Sequence, residues 1–151
     1  MDIPVSHLDI LNSKCFAHAA TLRPDGRLSV HPVTVLLRNG QVCFSTLKRR
    51  GKYRNLLHDP RLSLSIPHPD NPWHYLELRG LARLEDDSER KVIDEIARKY
   101  LGQDHYPYDE PDDERVTVTL NIEQVWAPAV HGATDESFST LRSQVFGDES
   151  S

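Results

Sequence analysis

Asn39-Gly40 stands between two runs of β-forming residues, 27–38 (RLSVHPVTVLLR) and 41–46 (QVCFST), and restricts the fold of this chain more than any other short feature. A type I′ turn needs positive φ at both central positions, which Asn and Gly supply at least cost, so the two runs are expected to fold back as an antiparallel hairpin. Upstream, Arg23-Pro24-Asp25-Gly26 is a second reversal signal, and residues 15–22 (CFAHAATL) form the strand before it. The N-terminal part of the chain is therefore expected to be a three-stranded meander. Residues 61–67 (RLSLSIP) then alternate polar and apolar as a half-buried strand does. A loop, His68-Pro69-Asp70-Asn71-Pro72, leads to a long strand over 73–85, in which Gly80 marks a bulge or a barrel corner, and residues 115–126 form the last strand.

Helical signals are few. Ser6 is placed to cap a short helix from His7 to about Asn12. A second helix is expected over 51–58, stopped by Asp59-Pro60, since proline disfavours helical backbone in the residue before it. Asp87 or Ser88 caps a third that runs to about Leu101, with an apolar stripe of Val92, Ile93, Ile96, Ala97, Tyr100 and Leu101 and with Gly102 as its stop. The fold class is mainly β with α. Six strands joined largely by turns close more readily into a small antiparallel barrel with flanking helices than they stack as a sandwich. Pro32 lacks the N–H a ladder needs, so it either lies beside an opening in the barrel or separates two shorter strands. The expected organisation is one domain over residues 1–132 and a polar, Ser-rich tail over 133–151.

Composition removes several functions. The chain is formally −5 at pH 7, poor equipment for following a nucleic-acid backbone. Its two cysteines, Cys15 and Cys43, show no metal or disulfide spacing, and there is no obvious signal peptide or membrane-length apolar run, so a cytoplasmic location without a membrane span is expected. No glycine has another two positions on, which excludes a G-x-G-x-x-G dinucleotide loop, and no phosphate loop or G-x-S-x-G elbow occurs. Eight histidines include no H-E-x-x-H or zinc-type pair, and no protein-held metal is expected. Against the acidic background, residues 26 to 58 contain no Asp or Glu, and Lys48, Arg49, Arg50, Lys52 and Arg54 crowd the junction between a strand and a helix. Such a junction either holds an anion or is a solvated basic helix face.

Several short motifs recur here in a familiar order: Ala19-Ala20-Thr21-Leu22-x-Pro24-Asp25-Gly26, His31-Pro32-Val33, Phe44-Ser45-Thr46-x-Lys48-x-x-x-Lys52-x-x-Asn55-Leu56-x-x-Asp59-Pro60-Arg61, Pro69-Asp70-Asn71-Pro72 and Leu78-Arg79-Gly80-x-Ala82. Over about residues 5 to 127 this order resembles the flavin and deazaflavin oxidoreductases of the pyridoxamine 5'-phosphate oxidase-like split-barrel superfamily, above all the branch that uses coenzyme F-420. The resemblance implies a six-stranded antiparallel split β-barrel, a homodimer with shared cofactor sites, and hydride transfer from reduced deazaflavin to a small unsaturated acceptor: a quinone, an enone, a nitroaromatic or a tetrapyrrole.

The same resemblance implies roles for particular residues. Pro32, Val33, Thr34 and Val35 would lie along the cofactor ring, while Ser45, Thr46, Lys48 and Lys52 would bind its phosphate with Arg49, Arg50 and Asn55 nearby. The polyglutamate tail of F-420 would meet Arg49, Arg50 and Arg54. Trp73 would either cover the ring from the partner subunit or fill the barrel. No catalytic side chain is assigned, and His31 and His74 are candidates to protonate the substrate. The alternative is an FMN- or haem-binding split-barrel protein acting as oxidase, sensor or carrier.

Overall fold

A computed structural model describes residues 2–129; the tail expected over 133–151 lies outside the described residues. Six strands, β1 (Phe16–Leu22), β2 (Leu28–Arg38), β3 (Gln41–Leu47), β4 (Arg61–His68), β5 (Asn71–Asp86) and β6 (Arg115–Trp126), close into an antiparallel barrel in the order β1-β2-β3-β6-β5-β4. Three helices flank it: α1 (Leu8–Asn12), α2 (Gly51–His58) and α3 (Lys91–Leu101). Asn39 and Gly40 both take positive φ (53° and 76°), as the hairpin between β2 and β3 requires. The alternation seen in the sequence becomes the inside and outside of the barrel. Ala17, Ala19, Val33, Val35, Phe44, Leu62, Leu64, Ile66, Leu76, Leu78, Val118 and Leu120 fill the interior, which Ile10, Leu11 and Leu56 of the helices cover. Among the described residues no helix is long and apolar enough to cross a membrane.

Where the elements differ from expectation, local hydrogen bonds are the cause. The β4–β5 loop shrinks to the two residues Pro69 and Asp70, because His68 and Asn71 pair and extend both strands towards the turn. Ser6 does not cap α1. Its hydroxyl donates to Nδ1 of the buried His7 (2.8 Å), whose Nε2–H donates to the carbonyl of Pro128 (3.1 Å), and a 3-10 turn over Val5–His7 precedes the helix. Asp87 does cap α3, but from a distance: its carboxylate accepts from the N–H groups of Val92 (3.2 Å) and Ile93 (3.0 Å), so the helix starts only at Lys91.

Helix α3 is fastened to the barrel where β1 begins. Val92, Ile93 and Ile96 pack on Leu36 and Cys43. The Tyr100 hydroxyl accepts from the Val35 N–H (3.3 Å) and lies 2.8 and 2.9 Å from the carbonyls of Val35 and Cys15, donating its single hydrogen there. Lys99 Nζ donates to the Leu11 carbonyl (2.7 Å), tying the end of α3 to α1. Burial pushes the Tyr100 phenol well above its ordinary range and pulls the Lys99 ammonium below its own.

Candidate functional site

The barrel is split at one seam. Strand β2 pairs β3 only from Val35 to Arg38, while its earlier residues pair β1 alone, with Pro32 opposite His18. Strand β3 meanwhile turns from β2 to β6, pairing it from Cys43 to Leu47. The strands part between Pro32–Thr34 and Ser45–Leu47, and the missing N–H of Pro32 falls where no partner strand asks for it. Backbone polar groups alternate sides along a strand. Val35 turns its N–H and C=O to Tyr100, on the side of β1, so those of Thr34 and the carbonyl of Pro32 face the seam.

A cleft of about 280 Å³ occupies this seam. Its walls are Pro32, Val33 and Thr34 of β2, Ser45, Thr46 and Leu47 of β3, and Arg50 and Lys52 at the start of α2; Phe16, Ile93, Ile96, Tyr106 and Arg115 complete it. No carboxylate lines it, although the chain as a whole is acidic. The first turn of α2 has no side-chain cap, so its N–H groups reinforce the positive potential of Arg50 and Lys52. Burial, and next the charge of Arg50, hold the Lys52 ammonium below its ordinary pKa, a strain that an anion bound between the two would relieve. Thr46 carries the one buried side-chain polar atom without a hydrogen-bond partner among the described residues, its Oγ1. That orphan, on a residue of the cleft wall, fits a bound group rich in acceptor oxygens.

The five clustered cations do not act together. Arg50 and Lys52 form no ion pair among the described residues, whereas Lys48 Nζ meets Asp86 (3.1 Å) and Glu114 (3.9 Å) and Arg49 grips Asp113 at 2.7 and 3.3 Å. The Arg49 guanidinium holds the Asp113 carboxyl down at about 2. Carboxylates of β5 and of the acidic loop before β6 thus engage Lys48, implied as a phosphate ligand, and Arg49, implied to lie near the phosphate. A larger cavity of about 590 Å³ adjoins this loop and shares Tyr106 and Arg115 with the cleft, but Asp86, Asp109, Glu110, Asp113 and Glu114 line it, so an anion belongs in the smaller space.

The remaining sequence candidates are placed apart from the cleft wall. Val35 is wholly buried in the barrel interior. Asn55 is buried and donates to Thr21 Oγ1 (3.0 Å), tying α2 to β1. His31 precedes Pro32 and lies within electrostatic reach of Lys52; partial burial, and then that charge, lower its pKa. His74 turns to Asp9 of α1, its Nε2 at 3.0 and 3.1 Å from the two carboxylate oxygens, with the rings of His7 and His68 alongside. Trp73 stands half exposed rather than inside the barrel, two residues from Tyr75, which accepts from Trp126 Nε1–H (3.0 Å). Sequence reading passed over Arg115 and Tyr106. Arg115 opens β6 opposite Leu47, and only the β3–β6 pairing, which joins strands far apart in the chain, brings it to the site.

Fold and cleft together define a small antiparallel barrel that opens sideways onto a basic, partly apolar seam. The chain belongs to the pyridoxamine 5'-phosphate oxidase family, whose model matches residues 5–128 and so takes in all six strands and three helices. Among solved structures, a protein described as an F420 reductase is 28% identical over 82% of this chain and 98% of its own, with a TM-score of 0.72. A putative pyridoxamine 5'-phosphate oxidase from Listeria innocua shares the fold at 22% identity, covering 80% of this chain and 93% of that one with a TM-score of 0.60. So does a pyridoxamine 5'-phosphate oxidase-related, FMN binding protein from Nostoc punctiforme, at 15% identity, 73% and 71% coverage and a TM-score of 0.53. No curated protein sequence matches the chain.

Proposed function

We propose that this chain is an oxidoreductase that uses coenzyme F-420, passing a hydride from the reduced deazaflavin to an unsaturated organic acceptor. The observation that carries the reading is an open strand edge at Pro32–Thr34 facing two cations, Arg50 and Lys52, that have no carboxylate partner among the described residues. A flat ring with polar edges suits the first, and a phosphate suits the second. The relative described as an F420 reductase, matched over nearly its whole length, favours the deazaflavin. FMN is the second reading, because Asp86 and Glu114 already engage Lys48 and Asp113 engages Arg49, which leaves Arg50, Lys52 and Arg54 for a polyanionic tail.

Bound reduced deazaflavin supplies the hydride. The protein's part is to bind, orient and exclude water. Lys52, Arg50 and the Ser45 and Thr46 hydroxyls would hold the anionic end, the Thr34 N–H and Pro32 carbonyl would be free to bond a ring in the seam, and Phe16, Ile93 and Ile96 would keep the space between them apolar. His31 is the better placed of the two histidines to hand a proton to the acceptor. Its lowered pKa makes the imidazolium a minority at pH 7 that grows as pH falls. Acceptor reduction limited by this proton should therefore speed up towards acid, and His31→Gln should flatten that rise. Anaerobic stopped-flow with a quinone and enone panel checks both points: reduced F-420 should be oxidised faster with the protein than without it, while NADH and NADPH should not replace it. Tight binding of oxidised F-420 with no rate above background across the panel overturns the enzyme reading in favour of a carrier.

The site is further proposed to be shared by two copies of the chain. Phe16, Leu28 and Val30 are 59%, 71% and 60% exposed on the outer face of β1 and β2, and Phe16 is also part of the cleft wall. An apolar strip continuous with a ligand site is covered economically by a second copy. Light scattering at micromolar concentration should report a dimer; a monomer that binds cofactor with full affinity contradicts the shared site.

A further inference from the structure

The loop between α3 and β6 is built around one carboxylate. Asp109 accepts two hydrogen bonds from Arg115 (2.8 and 2.6 Å) and one from Arg90 (2.9 Å), and its side chain is almost fully buried. The Arg115 guanidinium, foremost among the causes, keeps the Asp109 carboxyl below its ordinary range, so the pair stays ionised around neutrality. The Arg115 side chain is only 10% exposed, and its guanidinium lies over the Tyr106 ring at 4.9 Å. Its remaining terminal nitrogen, Nη1, donates to Ser45 Oγ at 3.4 Å, on the wall of the cleft. A guanidinium gripped on one edge by a buried carboxylate has little freedom on the other.

We propose that Arg115, locked by Asp109, is a positioning residue that fixes the Ser45 hydroxyl as a hydrogen-bond donor towards the anionic group of the cofactor. The reason is the inventory of the hydroxyl. A serine oxygen accepts and donates, and an arginine can only donate. Once Arg115 occupies an acceptor position on Ser45 Oγ, the hydroxyl hydrogen points elsewhere, and the cleft holding Arg50 and Lys52 lies open to it. The acidic loop therefore tunes the phosphate end of the cleft without placing a carboxylate on its wall. This inference rests on the proposal that the cleft holds a phosphate-bearing flavin-type cofactor.

The test compares ligands that differ only in their phosphate-bearing part. Affinities for FMN and riboflavin, and for F-420 and its phosphate-free deazaflavin core, are measured by equilibrium titration for the unmodified protein, Arg115→Lys, Ser45→Ala and the double variant. Arg115→Lys keeps the charge that Asp109 needs but loses the fork that also reaches Ser45. The expected result is a roughly tenfold loss for the phosphate-bearing ligand in each single variant, little change for its phosphate-free counterpart, and a double variant no worse than the single ones. Equal losses for both members of a pair, together with a lowered melting temperature, would show a structural role only. Additive losses would show that Arg115 touches the anion directly, and either result overturns the proposal. Binding of the FMN pair but not of the F-420 pair would instead remove the choice of cofactor while leaving the Arg115 comparison intact.

Discussion

Replacing Lys52 and Arg50 together with alanine should weaken cofactor binding roughly 30- to 700-fold, about 2 to 4 kcal/mol. Each contributes a charge-assisted contact of about 1.5 to 3 kcal/mol to a phosphate, discounted because Arg50 is exposed and Lys52 only half-buried. Lys48→Ala should change the affinity by no more than about threefold, since Asp86 and Glu114 already engage that ammonium and exposed pairs are worth about 1 kcal/mol or less. Calorimetry on the double variant and on Lys48→Ala separates the two cases. Unchanged affinity without Lys52 and Arg50 would reduce the whole cluster to a solvated helix face.

The second large effect belongs to the barrel. Gly80 sits at the register shift between β5 and β6, and a Cβ placed there would overlap the backbone carbonyl of Asn121, with the Glu123 nitrogen at 3.1 Å. The obstruction is backbone on a paired strand, so nothing flexible can move aside. Gly80→Ala should destabilise the protein by about 2 to 3 kcal/mol, the upper part of the range for overpacking, and lower the melting temperature by roughly 5 to 12 °C for a chain of this size. Calorimetric melting shows it directly. A variant that melts with the unmodified protein would mean that the strands can part at the bulge without loss. Gly51 is the contrast, since an added Cβ there meets nothing within 4 Å.

Sequence alone was informative where one short segment carries its own physics. Asn39-Gly40, Pro24-Asp25-Gly26 and the alternation of residues 61–67 concern neighbours along the chain, and all three appear as read. Pro32 left two possibilities, an opening or a break between strands, because a missing donor is a local fact; β2 runs on through it, and β2 and β3 part there. The charge cluster was legible as a cluster but not as a partition. Nothing near Lys48 and Arg49 in the chain reveals that Asp86, Asp113 and Glu114 will reach them, because the β3–β6 pairing that permits it spans about seventy residues. Arg115 stayed hidden for the same reason. The place of Asn55 near the phosphate is implied by the family resemblance alone; its side chain donates to the buried Thr21 hydroxyl, a contact between residues far apart in the chain. The cap of α3 shows a milder limit: of the two candidates Asp87 and Ser88 it is Asp87 that accepts from the helix N–H groups, while the left-handed Arg90 (φ 61°) delays the helix to Lys91.

A seam between Pro32–Thr34 and Ser45–Leu47 that holds a flavin-type cofactor by its phosphate, as proposed, should report the bound ring in its absorption. The most direct measurement is a spectral titration of the unmodified protein with F-420, FMN and haemin in parallel, repeated with Lys52→Ala. Saturable shifts in the F-420 absorption bands are expected at micromolar protein, with weaker shifts for FMN, none for haemin, and a marked loss of the F-420 response in the variant. Saturable binding of haemin alone, or of F-420 with an affinity indifferent to Lys52, would contradict the proposal.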